Sequence, residues 1–403
     1  MKIFIVFGTR PEAIKLAPLI HKLKKSFDVR VVSSGQHLEL TEQVIEFFGL
    51  RPNYMFGCMT KKPDLEKLYM CIAMNIRGLI DHEDPDLIIV QGDTLTAFAT
   101  AFVGFMLRKP VFHLEAGLRT LKKFLPYPEE MLRLLLSRIA DVHFTPTRQA
   151  ARNLIAEGIR RDRILITGNT VVDALFLAQT LVDEKRVFDD LTFNGAEGRV
   201  LKSDKKLVLI TSHRRENIGE PLQNICRAVK KLAQHYKDTV FLWSLHKNVK
   251  VRNIVFDVMK SRPKNLLIAE AFSYETMVYL MQKSHIILTD SGGVQEEAPA
   301  FGKPVIILRD TTERPEVIEA GFGILAGCGE ENIIRVYRRI DNDAALHKRL
   351  SKKPNPFGDG KAAEKIHAFI KLPRVRSFIK NYPASSEVSL SVEGNRGVKE
   401  ERR

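Results

Sequence analysis

The chain has 403 residues, 44% hydrophobic and 28% charged. That is too long for one ordinary core, and the composition excludes a disordered or collagen-like protein. No apolar run approaches about 18 residues, so no membrane-spanning helix is expected. The formal net charge of +15 is spread over predicted helices, as at Lys22, Lys24 and Lys25 or Arg374, Arg376 and Lys380. Such spreading points to solvated faces and a steering field for an anionic small ligand, not to a nucleic-acid or membrane surface.

The opening run Lys2 to Gly8 reads as a strand rather than a signal sequence, so a cytoplasmic protein is expected. Up to about Thr167, further strands are predicted at Val29–Val32, Leu87–Val90, Val111–Leu114, Val142–Phe144 and Ile164–Ile166. Helical stretches such as Glu12–Lys24 and Ala97–Leu107 alternate with them. This alternation predicts a parallel sheet covered by helices on both sides. After a helix at Val171–Leu181 and a polar loop near Asp189–Lys205, the pattern restarts. Leu207–Ile210, Thr239–Trp243, Leu266–Ile268, Ile286–Leu288, Val305–Leu308 and Gly323–Leu325 form a second set. The fold class is therefore α/β, with two doubly wound domains facing across a cleft. The expected domains are 1–169 and 170–360, followed by helices over 361–382 that pack back on the first domain. From 383 to 403 the chain is expected to be disordered, being rich in Ser, Glu, Gly and Lys. The four cysteines, Cys58, Cys71, Cys226 and Cys328, lie far apart without a Cys-x-x-Cys pair. They are expected as buried thiols, neither a zinc site nor a disulfide framework.

Ligands of open α/β sheets bind beyond the carboxyl ends of the strands, so the informative residues should lie there. The first strand runs into Gly8-Thr9-Arg10-Pro11-Glu12-Ala13-Ile14-Lys15, which lacks the Gly-x-Gly-x-x-Gly of a tightly held dinucleotide. Instead it offers a helix start with Arg10 and Lys15 near the positive end of the dipole, a place for an anion or simply two surface cations. The next two motifs are Gln91-Gly92-Asp93-Thr94 and His113-Leu114-Glu115-Ala116-Gly117-Leu118-Arg119-Thr120. Neighbouring strands lie about 4.8 Å apart, so Asp93 and Glu115 would emerge side by side, unless Asp93 is only a helix N-cap. Pro126-Tyr127-Pro128-Glu129-Glu130 opens a helix with further carboxylates. Acids converging there should leave at least one carboxyl with a raised pKa, which suits proton transfer.

In the second half, His213 stands between Ser212 and Arg214 at the first strand's end. Asp290-Ser291-Gly292-Gly293 forms a strand, glycine turn and helix that could cradle phosphates, with Glu296 or Glu297 placed for a ribose. A plain tight turn recruits the same residues.

These motifs, with Gly168-Asn169-Thr170-Val171-Val172-Asp173-Ala174 and Thr311-Thr312-Glu313-Arg314-Pro315-Glu316, together resemble the non-hydrolysing UDP-N-acetylglucosamine 2-epimerases from Met1 to about Ile370. The resemblance implies two Rossmann-like domains of the GT-B type, a homodimer, and the substrate UDP-N-acetylglucosamine, with no cofactor or metal and a role in cell-surface polysaccharide biosynthesis. The implied reaction is anti elimination of UDP to 2-acetamidoglucal and its re-addition with inversion at C2. Carried over to this sequence, Asp93, Glu115 and Glu129 match the acid/base carboxylates and His213 the histidine beside the phosphates. Arg10 and Lys15 match the anion-binding pair, and Ser291, Gly292 and Gly293 the diphosphate turn. Glu297 matches the ribose acid and Arg314 the binding arginine. Phe272 and Met277 align where the family often has a glutamine and a phenylalanine around the uracil, a departure in which stacking would replace a hydrogen bond. Other departures are Leu132 before Arg133, where the family has Asn-Arg, and Gln36-His37-Leu38-Glu39, which lacks the arginine of the activating second site. A hydrolysing epimerase that releases ManNAc and a UDP-sugar glycosyltransferase are the alternatives.

Overall fold

Long apolar runs set two parallel sheets in the computed structural model, which describes residues 1–36, 38–58, 64–193, 195, 204–312 and 314–390. One compact unit comprises residues 1–174 with the chain from Phe357 onward, and the other spans Leu175–Pro356. The divisions fall a few residues from the expected 169/170 and 360/361, and the helix Thr170–Leu181 spans the first of them.

The first unit holds strands β1 (Lys2–Phe7), β2 (Asp28–Ser33), β3 (Tyr54–Met55), β4 (Leu87–Gln91), β5 (Val111–Leu114), β6 (Val142–Thr145) and β7 (Ile164–Ile166), in the order β3-β2-β1-β4-β5-β6-β7. Every pairing is parallel. Burial on both faces explains why β1, Lys-Ile-Phe-Ile-Val-Phe, is an uninterrupted apolar run rather than an alternating one. The order reverses direction between β1 and β4, and the crevice at that switch is where such folds hold ligands.

The second unit repeats the plan with β8 (Lys206–Ser212), β9 (Thr239–Leu245), β10 (Leu266–Ala269), β11 (Ile286–Thr289), β12 (Val305–Ile307) and β13 (Gly323–Leu325). Their order is β10-β9-β8-β11-β12-β13, which puts the switch between β8 and β11. Its core packs Trp243, Phe241 and Tyr337 among aliphatic side chains of the sheet and of the helix Glu220–His235.

The helices Ala362–Lys371 and Pro373–Lys380 belong to the first unit. Asp173 accepts the Ala362 and Ala363 amides at 3.1 and 2.8 Å, which satisfies the start of the first helix. Phe369 meets Phe144 edge-on at 5.6 Å.

Three expectations need correction. Cys58 and Cys71 are joined in a disulfide, and only Cys226 and Cys328 are the expected buried thiols. The first pair meets because the helix Leu65–Glu83 carries Cys71 back towards the chain leaving β3. Residues 383–390 are not a disordered tail: Leu390 is fully buried, and Arg163, 6% exposed, donates to the carbonyls of Ser386 and Val388. A guanidinium buried to that degree needs acceptors, and this backbone supplies them. Residues 391–403 lie outside the described residues. Finally, Glu184–Phe193 is a helix, so the polar loop does not begin at Asp189; most of the segment from 194 to 203 lies outside the described residues.

Candidate active site

Asp93 and Glu115 leave adjacent strands, since Gln91 of β4 pairs with Leu114 of β5. Thr94, not Asp93, caps the helix Leu95–Met106, its hydroxyl accepting the Ala97 amide at 3.0 Å. Asp93 therefore turns to Arg133, whose Nε and Nη2 reach Oδ2 at 2.7 and 2.5 Å. The same guanidinium donates to Glu130 Oε2 at 3.1 Å. Glu130, 1% exposed, is fixed in turn by the amides of Thr120 and Leu121, both at 2.9 Å.

Glu115 is held differently. It accepts Lys15 Nζ at 2.5 Å and Gln91 Nε2 at 3.0 Å. Its backbone has φ +60°, a left-handed conformation that costs a non-glycine residue about 1–3 kcal/mol and is often kept where geometry serves function. Glu129 begins the helix Glu129–Ile139, one turn before Arg133 on the same face, and its Oε2 is buried without a hydrogen-bond partner among the described residues. The Arg133 bridge thus brings the start of that helix to Asp93. Lys15, expected as half of an anion-binding pair with Arg10, has its charge met by Glu115. Arg10 opens the helix Arg10–Leu23 and is half-buried.

Near these acids, the carboxyl that burial raises, to about 7, is that of Glu12, which was not among the expected acids. Hydrogen bonds from the Thr94 hydroxyl, the Gly8 amide and Thr9 pull it back only in part. Glu12 Oε2 takes the Gly8 and Thr9 amides at 3.0 and 2.8 Å, and Oε1 takes Thr94 Oγ1 at 2.6 Å. The donors that a phosphate would use at this strand end are already occupied.

In the second unit the fully buried Asp290 organises the switch point. Its carboxylate accepts Ser212 Oγ at 2.8 Å, the His213 and Arg214 amides at 3.0 Å, and Asn217 Nδ2 at 2.9 Å. This binds the loop after β8 to the end of β11. The His213 ring lies parallel to His246, with centroids 5.2 Å apart, and its Nδ1 is 3.7 Å from Asp290. Burial holds the His213 imidazole below its ordinary pKa.

Ser291 precedes the short helix Gly292–Glu297. A Cβ placed on Gly292 would sit 3.2 Å from Arg214 Nη2 and 4.0 Å from Arg314 Nη2, so two guanidinium groups converge on this turn. Arg314 is anchored through Nε to Glu296, itself 1% exposed. That leaves Glu297, half-buried, as the more accessible acid of the pair. Phe272 is 4% exposed, while Met277 is half-buried on the helix Tyr274–Lys283. Sequence reasoning missed the supporting roles of Arg133, Gln91, Glu12, Asp290 and Glu296. The bonds of Glu12 to the Gly8 and Thr9 amides and of Arg133 to Glu130 are local. Those of Arg133 to Asp93, Gln91 to Glu115, Glu12 to Thr94, Asp290 to Ser212 and Glu296 to Arg314 join distant parts of the sequence that no local motif reports.

The pattern that describes UDP-N-acetylglucosamine 2-epimerases matches residues 21–371. The chain belongs to this family. It is 41% identical over 369 residues to a Campylobacter jejuni protein named UDP-N-acetylglucosamine 2-epimerase, covering 91% of this chain and 96% of the other. Among solved structures, the Neisseria meningitidis UDP-GlcNAc 2-epimerase bound to UDP-GlcNAc superposes with a TM-score of 0.83 at 38% identity, over 94% of this chain and 100% of that one. The Methanocaldococcus jannaschii UDP-GlcNAc 2-epimerase in complex with UDP-GlcNAc and UDP gives 0.73 at 34% identity, over 92% and 99%. These family relatives share the two-sheet architecture, which is of the GT-B type.

Proposed function

We propose that the chain interconverts UDP-GlcNAc and UDP-ManNAc by the non-hydrolysing route. UDP departs from C1 as the C2 proton is removed, giving 2-acetamidoglucal; UDP then returns to C1 while C2 takes a proton on the opposite face. The C2–H bond is weakly acidic, so the step needs a fixed base and a stabilised leaving group. Asp93, Glu115 and Glu129 act as the acid/base carboxylates. His213, Arg314 and the turn Ser291-Gly292-Gly293 take the charge that develops on UDP, and Arg10 serves as an anion-binding cation of the first unit. Lys15 fixes the Glu115 carboxylate for its acid/base role. Glu297 holds the ribose, and Phe272 and Met277 flank the uracil.

The observation that carries this reading is the support given to two carboxylates on adjacent strand ends, Asp93 by Arg133 and Glu115 by Lys15 and Gln91. A glycosyltransferase has no need of such a cluster. We further propose a cytoplasmic homodimer whose product feeds cell-surface polysaccharide synthesis. The dimer is supported by exposed apolar side chains on the helices Leu65–Glu83 and Leu95–Met106, with Met70 at 59%, Met74 at 72% and Phe105 at 55% exposure. No helix among the described residues is long and apolar enough to cross a membrane.

The test is incubation with UDP-GlcNAc in D₂O, followed by NMR of the sugar protons. UDP-ManNAc with deuterium at C2 of both sugars is expected. Free ManNAc would show the hydrolysing route instead, and protonated C2 with no turnover would sink the epimerase reading.

A further inference from the structure

We propose that His113 is a positioning residue for Asp93, holding the turn that carries this carboxylate through a hydrogen bond to the carbonyl of Gly92. The inference rests on the role given to Asp93 above and adds a residue to it. His113 lies on β5, paired with Val90 of β4, and is 1% exposed. Its Nε2 is 2.7 Å from the Gly92 oxygen. One residue along β5, the Leu114 carbonyl accepts the Gly92 amide at 3.0 Å. Both polar backbone groups of Gly92 are therefore gripped by the neighbouring strand.

Gly92 needs that grip. It sits at φ +72°, a conformation that glycine shares with alternatives of similar energy, so the residue alone does not fix the direction of the chain beyond it. Asp93 comes next, and its side chain is taken by Arg133. The acid is thus held twice: from behind by β5 through the backbone, and from the front by the helix Glu129–Ile139 through its carboxylate.

Packing alone does not account for a histidine here. The ring faces His143, 6.4 Å away between centroids, and the charges of Arg119 and Asp93 also act on it. Burial, aided by Arg119 and opposed by the Gly92 carbonyl and Asp93, lowers its pKa to about 4. At neutral pH it carries one proton, which the bond to Gly92 places on Nε2. Nδ1 is buried with no partner among the described residues, a cost that leucine or phenylalanine would avoid. The Gly92 bond explains why that cost is retained.

The experiment compares the full-length wild type with His113→Gln, His113→Asn and His113→Leu. Glutamine carries an N–H about as far from the backbone as Nε2, asparagine falls short, and leucine has no donor. Turnover of UDP-GlcNAc and amide hydrogen exchange over residues 92–95 are read together. A misplacement of about 1 Å costs roughly 100-fold. The Leu and Asn variants should therefore lose about 10- to 100-fold in kcat with KM nearly unchanged, and show faster exchange at 92–95. The Gln variant should stay within about threefold of wild type on the same principle. Equal behaviour of Gln and Asn overturns the proposal, as does unchanged exchange in Leu. If the Leu variant does not fold, the Gln and Asn contrast still decides. If wild type leaves UDP-GlcNAc untouched, the functional reading fails, while the exchange contrast still tests whether His113 holds the turn.

Discussion

Glu12→Gln should stabilise the protein, and by an amount that grows with pH. In the folded chain the Glu12 carboxyl is raised from 4.5 to about 7, chiefly by burial. The unfolded chain releases this proton near pH 4.5 and the folded chain keeps it until about 7. Between those values the unfolded state binds fewer protons, so stability falls as pH rises. The contribution is fully present below pH 4.5 and lost as pH passes through about 7. The interval of about 2.5 units, at about 1.4 kcal/mol each, is worth on the order of 3 kcal/mol. Glutamine has nearly the same shape: its oxygen can take the Gly8 and Thr9 amides, and its amide can donate to Thr94 Oγ1. Urea unfolding of both proteins from pH 4.5 to 8 is the assay, and the advantage of Gln should rise across the window and level off above it. An advantage that is flat, or shrinks with pH, would refute the account of burial as the dominant cause.

Gly292→Ala places a methyl group 3.2 Å from the Arg214 guanidinium, whose flexible end can move aside. Melting should change little, whereas UDP affinity by calorimetry should fall about 10- to 100-fold, the equivalent of one charge-assisted hydrogen bond. His213→Ala should keep its fold, because Asp290 holds the loop through backbone amides as well, and lose most turnover by coupled assay. Wild-type activity in that variant would remove His213 from the mechanism. The proposed dimer predicts that wild type sediments as a dimer and Met74→Glu with Phe105→Glu as a monomer; a monomeric wild type refutes the dimer, and a dimeric variant places the interface elsewhere.

The sheets were legible because strands buried on both faces must be continuously apolar, and all of those predicted are present. β3 was not, since Tyr54–Met55 is too short for any periodicity and is identified only by its pairing with β2. The strand ends located the candidate acids, but not what holds them. Arg133 and Asp93 are 40 residues apart and Ser212 and Asp290 are 78 apart, so their bonds exist only once the sheets form. Asp290 lies in the same motif as Ser291 and Gly292, but its bonds to the loop after β8 arise only because β8 pairs with β11. The order at Pro383–Leu390 escaped notice because it depends on the buried Arg163, not on the composition of the segment.

The Cys58–Cys71 bond makes covalent state a variable of the unit that carries the carboxylates. Closing a loop of this size is worth about 3 kcal/mol on the chain-entropy account. Cys71 is the half-buried sulfur and Cys58 the buried one, so a thiolate from solvent reaches the bond at Cys71 first. A reducing cytoplasm would favour the dithiol, and protein handled in air the disulfide. Stability measured with and without reductant therefore describes two different molecules, and only the first unit should report the difference.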